Sequence, residues 1–388
     1  MTTAVLSTGA PARRSASTLA KSRHICFVAP YAWPVLARDA SLKIVGGAEV
    51  QQCILMRLLA RQGWRVSLIS LDFGQEDATE VDGVVVFKTH TPEEGIPVLR
   101  FLHPRLTATW RALQKVDADV YYLRSASMLT GVLDAFCRRA GRRSIYAAAS
   151  NDDFNPRLRQ IRFARDRWLY RRGLARVDRI VVQNEFQRER CREQFGRDPV
   201  LIPSCYEPPA DASAAGGDTV LWVGRMDPDK RPALALEIAA RLPQRRFVIV
   251  GGAAHGEAAR PGYFESIRAR AAALPNVEMT GFLPLAEVER RFDRALVLLN
   301  TSEYEGMPNT FLQAWARGVP TVATVDVGAS VNDVFEGAAA GAAAIEKHFT
   351  DADYRARRSD ASREYFQAQH SATAVMGRYL RLLEELVA

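Results

Sequence analysis

The chain has 388 residues, 48% hydrophobic and 25% charged, a balance typical of folded globular proteins and a length that calls for two domains. No apolar run approaches the ~20 residues that span a bilayer. Five scattered cysteines (Cys26, Cys53, Cys137, Cys191, Cys205) form no Cys-x-x-Cys pair, which argues against a disulfide framework or zinc site and for a reducing cytoplasm. A net charge of +8 and a pI near 9.4 point to an anionic partner: nucleic acid, a membrane surface or a phosphorylated substrate.

Residues 1–22, rich in Ser, Thr, Ala and Arg, read as a disordered leader. Apolar runs at 24–29, 65–70, 84–89, 120–124, 144–149, 179–183 and 200–202 read as strands. Helical patterns at 48–61, 98–115, 128–139, 156–176 and 185–195 fill most gaps. Residues 205–218 shift to Pro, Ala, Gly and Asp and read as a linker. Strands are then expected at 219–223, 246–250, 277–280, 295–299 and 321–325. Helices are expected at 231–242, 263–273, 285–292 and 310–317, followed by 351–367 and 371–386; the Ala/Gly-rich stretch 328–344 is hard to assign. Two alternating series mean an α/β protein with two Rossmann-like, doubly wound domains (23–204 and 219–370) facing across a cleft.

One segment, 157–179, concentrates charge: Arg157, Arg159, Arg162, Arg165, Arg167, Arg171, Arg172, Arg176 and Arg179. Leu158, Ile161, Ala164, Trp168 and Leu169 interleave at helical spacing. It reads as a docked helix with a solvated basic face, or as a helix on anionic headgroups with Trp168 and Tyr170 at the interface. Arginine-rich RNA binding ranks third, since no RNA-binding motif accompanies the patch.

The most informative segment is 300–324. A buried strand ends in Glu305-Gly306-Met307-Pro308-Asn309-Thr310, which opens a helix closed by Gly318-Val319-Pro320. Free N–H groups at such a helix start attract phosphate. Glu305 and Gln313 flank it, placed to read hydroxyls. Gly46-Gly47 opens another helix after the first strand, where glycine lets a diphosphate approach the backbone or simply makes a turn. Arg225 and Lys230 follow the first strand of the second series, able to bind phosphate or to stand in a solvated loop.

These three motifs, in this order, resemble the retaining GT-B glycosyltransferases of group 1, or family 4. The resemblance covers most of residues 25–325 and implies transfer of a hexose-type unit from a nucleoside-diphosphate sugar to a hydroxyl of a glycan or lipid-linked acceptor. It implies no metal and no cofactor beyond that donor. It also implies that 371–388 forms a helix returning to the first, acceptor-side domain, and a cytoplasmic enzyme, peripheral on the inner membrane face when its acceptor is lipid-linked. By resemblance, Arg225 and Lys230 stabilise the leaving diphosphate, Gly46 and Gly47 close over it, Glu305 meets the sugar, Asn309 and Thr310 hold the pyrophosphate, and Gly306 belongs to the same donor-binding loop.

The chain departs from the family twice. The ribose-gripping glutamate is replaced by Gln313, which keeps one acceptor and loses the charge; it either shares ribose with a neighbour such as Glu303 or is a neutral helix-surface residue. Where a histidine often faces the sugar, this chain has Ser150-Asn151-Asp152-Asp153. Asp152 or Asp153 either accepts from a sugar hydroxyl or assists proton transfer there, with Asp152 taken as the catalytic one, or caps a helix after Pro156. The pairs Asp227/Asp229 and Asp351/Asp353 lack the strand-end setting of a metal site. Rival readings are an epimerase-like GT-B protein, an inactive relative, or a nucleic-acid-binding protein using the arginine-rich segment.

Overall fold

The computed structural model describes residues 23–39, 41–42, 46–96, 101–158, 160–213, 216–253, 260–327 and 330–388. The leader expected at 1–22, the start of the helix expected at 98, Arg159 and Gly328 lie outside them. In the first half the order is β1 His24–Val28, α1 Trp33–Leu36, α2 Gly47–Arg61, β2 Arg65–Ser70, β3 Thr79–Val81, β4 Val84–Lys88, α3 Thr107–Val116, β5 Val120–Arg124, α4 Leu129–Ala140, β6 Arg143–Ala147, α5 Ala164–Leu174, β7 Arg179–Val182, α6 Glu185–Phe195 and β8 Val200–Leu201. The second half runs β9 Thr219–Val223, α7 Pro232–Arg241, β10 Arg246–Val250, α8 Tyr263–Ala272, β11 Val277–Gly281, α9 Leu285–Phe292, β12 Ala295–Asn300, α10 Asn309–Arg317, β13 Thr321–Ala323, β14 Asn332–Val334, α11 Gly337–Thr350, α12 Ala352–Gln369 and α13 Ala372–Val387.

Two sheets result, ordered β3-β4-β2-β1-β5-β6-β7-β8 and β11-β10-β9-β12-β13-β14. All pairings within them are parallel except β3 with β4. The central strands are buried on both faces, as runs such as His24–Val28 require when helices cover a parallel sheet. The strand order reverses beside β1 in one sheet and beside β9 in the other, and crevices at such switch points open at the strands' carboxyl ends.

The helix α13 buries Val375, Met376, Tyr379, Leu382, Leu383 and Leu386 in one apolar cluster with β1, β5 and α2 of the first sheet. The preceding α12 turns away from it at His370, and Phe366 packs in a cluster of the second sheet.

The arginine-rich segment is not one helix. The described residues 155–158 and 160–163 are turn and irregular chain, and α5 begins at Ala164 after an extended Phe163. Pro156 follows Asn155, and a residue before proline is driven out of the helical region. This register turns Tyr170 inward, correcting its expected place at an interface: it is fully buried and its hydroxyl donates to the Asp153 carbonyl at 2.8 Å. Close packing fixes α5 on α4, because a Cβ on Gly131 would fall 2.4 Å from the Leu169 carbonyl oxygen. The unassigned stretch becomes β14 and α11 from residue 330 onward. Among the described residues no helix is long and apolar enough to cross a membrane.

Candidate active site

Strand β12 delivers Asn300 to the cleft, and the loop 301–308 leads into α10, whose N-terminus has no side-chain cap. The leading N–H groups of α10, at Asn309 and Thr310, therefore lack intrahelical partners. Opposite, α2 starts at Gly47 behind an extended Gly46, also without a side-chain cap. Asn309 joins the two helix starts: its Nδ2 donates to the Gly47 carbonyl at 3.1 Å and its Oδ1 accepts from Gln51 Nε2 at 2.9 Å. A Cβ at 46 would fall 2.0 Å from Glu49 Oε2, the tip of a flexible side chain that folds back over the loop and would have to swing aside. Burial raises the Glu49 carboxyl, while Arg124 and Arg225 pull it down.

The loop after β9 supplies the cations. Asp227 caps the short turn Pro228–Lys230, accepting from the Lys230 N–H at 3.0 Å. That turn brings Lys230 Nζ to 2.5 Å from Glu305 Oε1, which also accepts from Ser302 Oγ at 2.7 Å. Arg231, in the left-handed region at φ 47°, ties the two loops together by donating to the carbonyls of Thr301 at 2.7 Å and Ser302 at 3.2 Å. Arg225 is exposed, with its Nε 3.3 Å from Asp227 Oδ2, leaving most of the guanidinium open to the cleft.

The first domain contributes a short turn, Asn151–Phe154, capped by Ser150. It separates the two aspartates. Asp153 is enclosed, accepting from the Tyr146 hydroxyl at 2.8 Å, the Ala149 N–H at 2.7 Å and Gln160 Nε2 at 2.9 Å, and burial raises its carboxyl. Asp152 is half-buried and accepts from Asn155 Nδ2 at 3.0 Å. Neither caps a helix after Pro156, because none starts there. Asn151, which the sequence did not single out, crosses the cleft: its Nδ2 donates to the Glu305 carbonyl at 3.1 Å. Tyr304 beside it donates to Asp229 Oδ2 at 2.7 Å, and that bond, with Asp152 adding to it across the cleft, raises the phenol.

Gln313 is buried, which corrects the surface reading. Its Nε2 donates to Glu289 Oε1 at 2.8 Å, while Glu289 Oε2 accepts from the Tyr206 hydroxyl at 2.6 Å and from Arg317 at 2.9 Å. The carboxylate partner of Gln313 is thus Glu289 of α9. Glu303 is exposed and its N–H is bonded to the Asp229 carbonyl at 2.8 Å. The structure therefore gathers Gly46, Gly47, Lys230, Glu305, Gly306 and Asn309 around one cleft with Arg225 at its edge, and sets Gln313 one turn deeper. Gln51, Ser302 and Glu289 escaped sequence reading; only the place of Gln51 one turn into α2 was a signal.

Two doubly wound domains with facing carboxyl edges constitute the GT-B fold. A model described as glycosyl transferases group 1 matches residues 217–352, and one described as Glycosyltransferase Family 4 matches residues 45–208. The chain belongs to this group 1, or family 4, glycosyltransferase family. It is similar to D-inositol 3-phosphate glycosyltransferase of Mycobacterium sp. (strain KMS), 31% identical over 165 residues, covering 38% of this chain and 37% of that protein. The chain thus aligns with little more than a third of the length of its curated relatives. The sucrose-phosphate synthase structure from Thermosynechococcus elongatus superposes with a TM-score of 0.71 at 20% identity, covering 94% of this chain and 99% of the other. Anabaena Alr3699/HepE in complex with UDP and glucose does so at 0.70 and 16% identity, covering 94% and 100%.

Proposed function

We propose that the protein is a retaining, metal-independent hexosyltransferase acting from a nucleoside-diphosphate sugar on a hydroxyl of a glycan or lipid-linked acceptor. The observation that carries this reading is the Lys230–Glu305 pair beside the uncapped start of α10, facing Gly46–Gly47 across the cleft. The diphosphate lies between the two helix starts, with the N–H groups of Asn309 and Thr310 on its oxygens. Arg225 and Lys230 supply positive charge as negative charge grows on the leaving β-phosphate. Glu305 orients the sugar by accepting from a hydroxyl.

The acceptor hydroxyl attacks the anomeric carbon from the leaving-group face. The bond from that carbon to the phosphate oxygen breaks, its electron pair stays on the phosphate, and the acceptor proton passes to it. Asp152 is the first-domain carboxylate available to the sugar or acceptor, since Asp153 is consumed by internal bonds. Gln313, held by Glu289, offers its carboxamide to the ribose. Among donors UDP-glucose comes first, because a structural neighbour carries it, and a phosphorylated polyol is an acceptor class to try because of the mycobacterial relatives' name.

The test is a thermal-shift panel of UDP-, GDP- and other nucleotide-sugars, followed by turnover with acceptors. A donor should stabilise the protein, and NMR of the product should show the donor's anomeric configuration kept, with chelator present. Epimer formed without acceptor would instead identify epimerase-like chemistry, and failure of every donor to bind would favour an inactive relative.

A further inference from the structure

Away from the cleft, the first domain exposes a face built from two segments. Leu102, Phe163 and Trp168 are 56%, 55% and 59% exposed. Scattered single apolar residues are ordinary on a surface, but arginines join these. The Arg165 guanidinium lies 3.3 Å from the Phe101 ring centroid, next to Leu102, and 6.0 Å from that of Phe163. Arg162 stands over Phe163 at 5.4 Å and Arg172 over Trp168 at 5.5 Å. Arg165, Trp168 and Arg172 fall at spacings of three and four along α5, so they share one stripe. Tyr170, Gly173 and Leu174 point inward.

Positive charge is in large excess along this segment. Across 157–172 the described arginines are Arg157, Arg162, Arg165, Arg167, Arg171 and Arg172, against Asp166 alone, which pairs with Arg165 at 2.8 Å. Among the described residues Arg162 and Arg172, which stand over exposed rings of this face, form no ion pair with a carboxylate. A cation stacked on an exposed ring keeps its other side free for a phosphate oxygen. The segment leaves the cleft wall at Asn155, immediately after the turn that carries Asn151 and Asp152.

We propose that this face docks the first domain on an anionic phospholipid bilayer. The arginines meet headgroup phosphates while Trp168, Phe163 and Leu102 enter the boundary of the acyl region. Leu102 favours lipid over single-stranded RNA, because an aliphatic side chain adds to acyl contact and gives no base-stacking platform. The inference names the partner that presents a lipid-linked acceptor and rests on the proposed function only for its purpose, since docking needs neither donor nor turnover.

The experiment is flotation of the full chain with vesicles of phosphatidylcholine alone and of phosphatidylcholine with one part in three phosphatidylglycerol, at low and high salt. Binding should require phosphatidylglycerol and weaken with salt. Combining Arg162→Gln with Arg172→Gln should weaken it about 25-fold, at about fivefold per cation. Combining Phe163→Ala with Trp168→Ala should also weaken it, whereas a purely electrostatic contact would not respond. All variants should keep wild-type Tm and wild-type stabilisation by UDP-glucose, which separates loss of docking from loss of the transferase site. Equal flotation with both vesicles, or none, overturns the proposal, as does RNA binding that depends on these arginines while vesicle binding is absent.

Discussion

Lys230 Nζ and Glu305 Oε1 meet at 2.5 Å, joining the loop after the first strand of the second sheet to the loop that opens α10. Both are largely shielded, with 25% and 14% of their side chains exposed, and Ser302 holds the same carboxylate oxygen. Each residue therefore fixes the other's position before a substrate arrives. Lys230→Ala should reduce kcat about 10²–10³-fold, the usual cost of deleting a donor aimed at developing charge. Glu305→Gln should raise KM for the donor and lower kcat. Steady-state kinetics on both single variants and the double variant should show coupling; simply additive losses would mean that the contact has no bearing on catalysis.

Gln313 is neutral for a local reason. A glutamate there would set a second carboxylate against Glu289, whose oxygens already serve Tyr206 and Arg317. Gln313→Glu should destabilise the protein by about 1–3 kcal/mol, because a buried donor is replaced by an unpaired charge. Pairing it with Glu289→Gln should restore much of the loss. Thermal melts of the two single variants and the double variant test this, and an unchanged Tm in Gln313→Glu would refute it.

Acid should loosen the junction between α12 and α13. His370 Nδ1 lies 2.7 Å from the Ser204 carbonyl, which only accepts, so that nitrogen carries the proton and Nε2 is the bare one. Burial lowers the His370 pKa to about 4, and burial with Arg65 nearby does the same for His24. The unfolded chain takes up these protons near pH 6.5 and the native one only near 4, so unfolded protein binds more protons between those values. Stability should be complete above the unfolded value and decline as pH falls from ~6.5 towards 4, by at most about 3 kcal/mol per histidine. His370→Asn, whose amide can replace the Nδ1 donor, should flatten the dependence of Tm on pH across this window. An identical slope would show that His370 is not the group responsible.

Packing of α5 on α4 leaves no room for side chains at the crossing. A Cβ on Gly173 would fall 2.5 Å from the Thr130 carbonyl carbon. Gly173→Val should cost about 1–3 kcal/mol as an overpacked contact, seen as a lower urea midpoint, whereas Gly196→Ala faces no neighbour within reach and should pay only for its left-handed φ of 59°.

The sheets were legible because buried parallel strands such as β9 and β10 are nearly continuous apolar runs with turn signals at both ends. Strand β14, Asn-Asp-Val, is short and polar and gives no such run. Helix α11, rich in Ala and Gly, has little contrast between its faces. The helix expected at 156–176 was too long by two turns, because alternating Arg and apolar residues kept helical spacing through a turn that Pro156 and Asn155 control. At the site, motifs local in sequence placed Glu305, Lys230 and the two helix starts. Partners separated by long stretches of chain, Gln313 with Glu289 and Asn151 with Glu305, depend on how helices and domains pack, and residue spacing carries no trace of that.

One consequence follows from α13 sharing a core with β1, β5 and α2. During synthesis, residues 24–201 can pair their strands as they emerge, yet Tyr379, Leu382 and Leu383 are supplied only after the whole second sheet has been made. Until then the first sheet carries an uncovered apolar strip while its neighbour is completed. Burial of that strip is therefore the last large folding event, and truncation within residues 372–387 should release a chain whose first domain is left open to chaperones and proteases rather than one merely shortened at a surface.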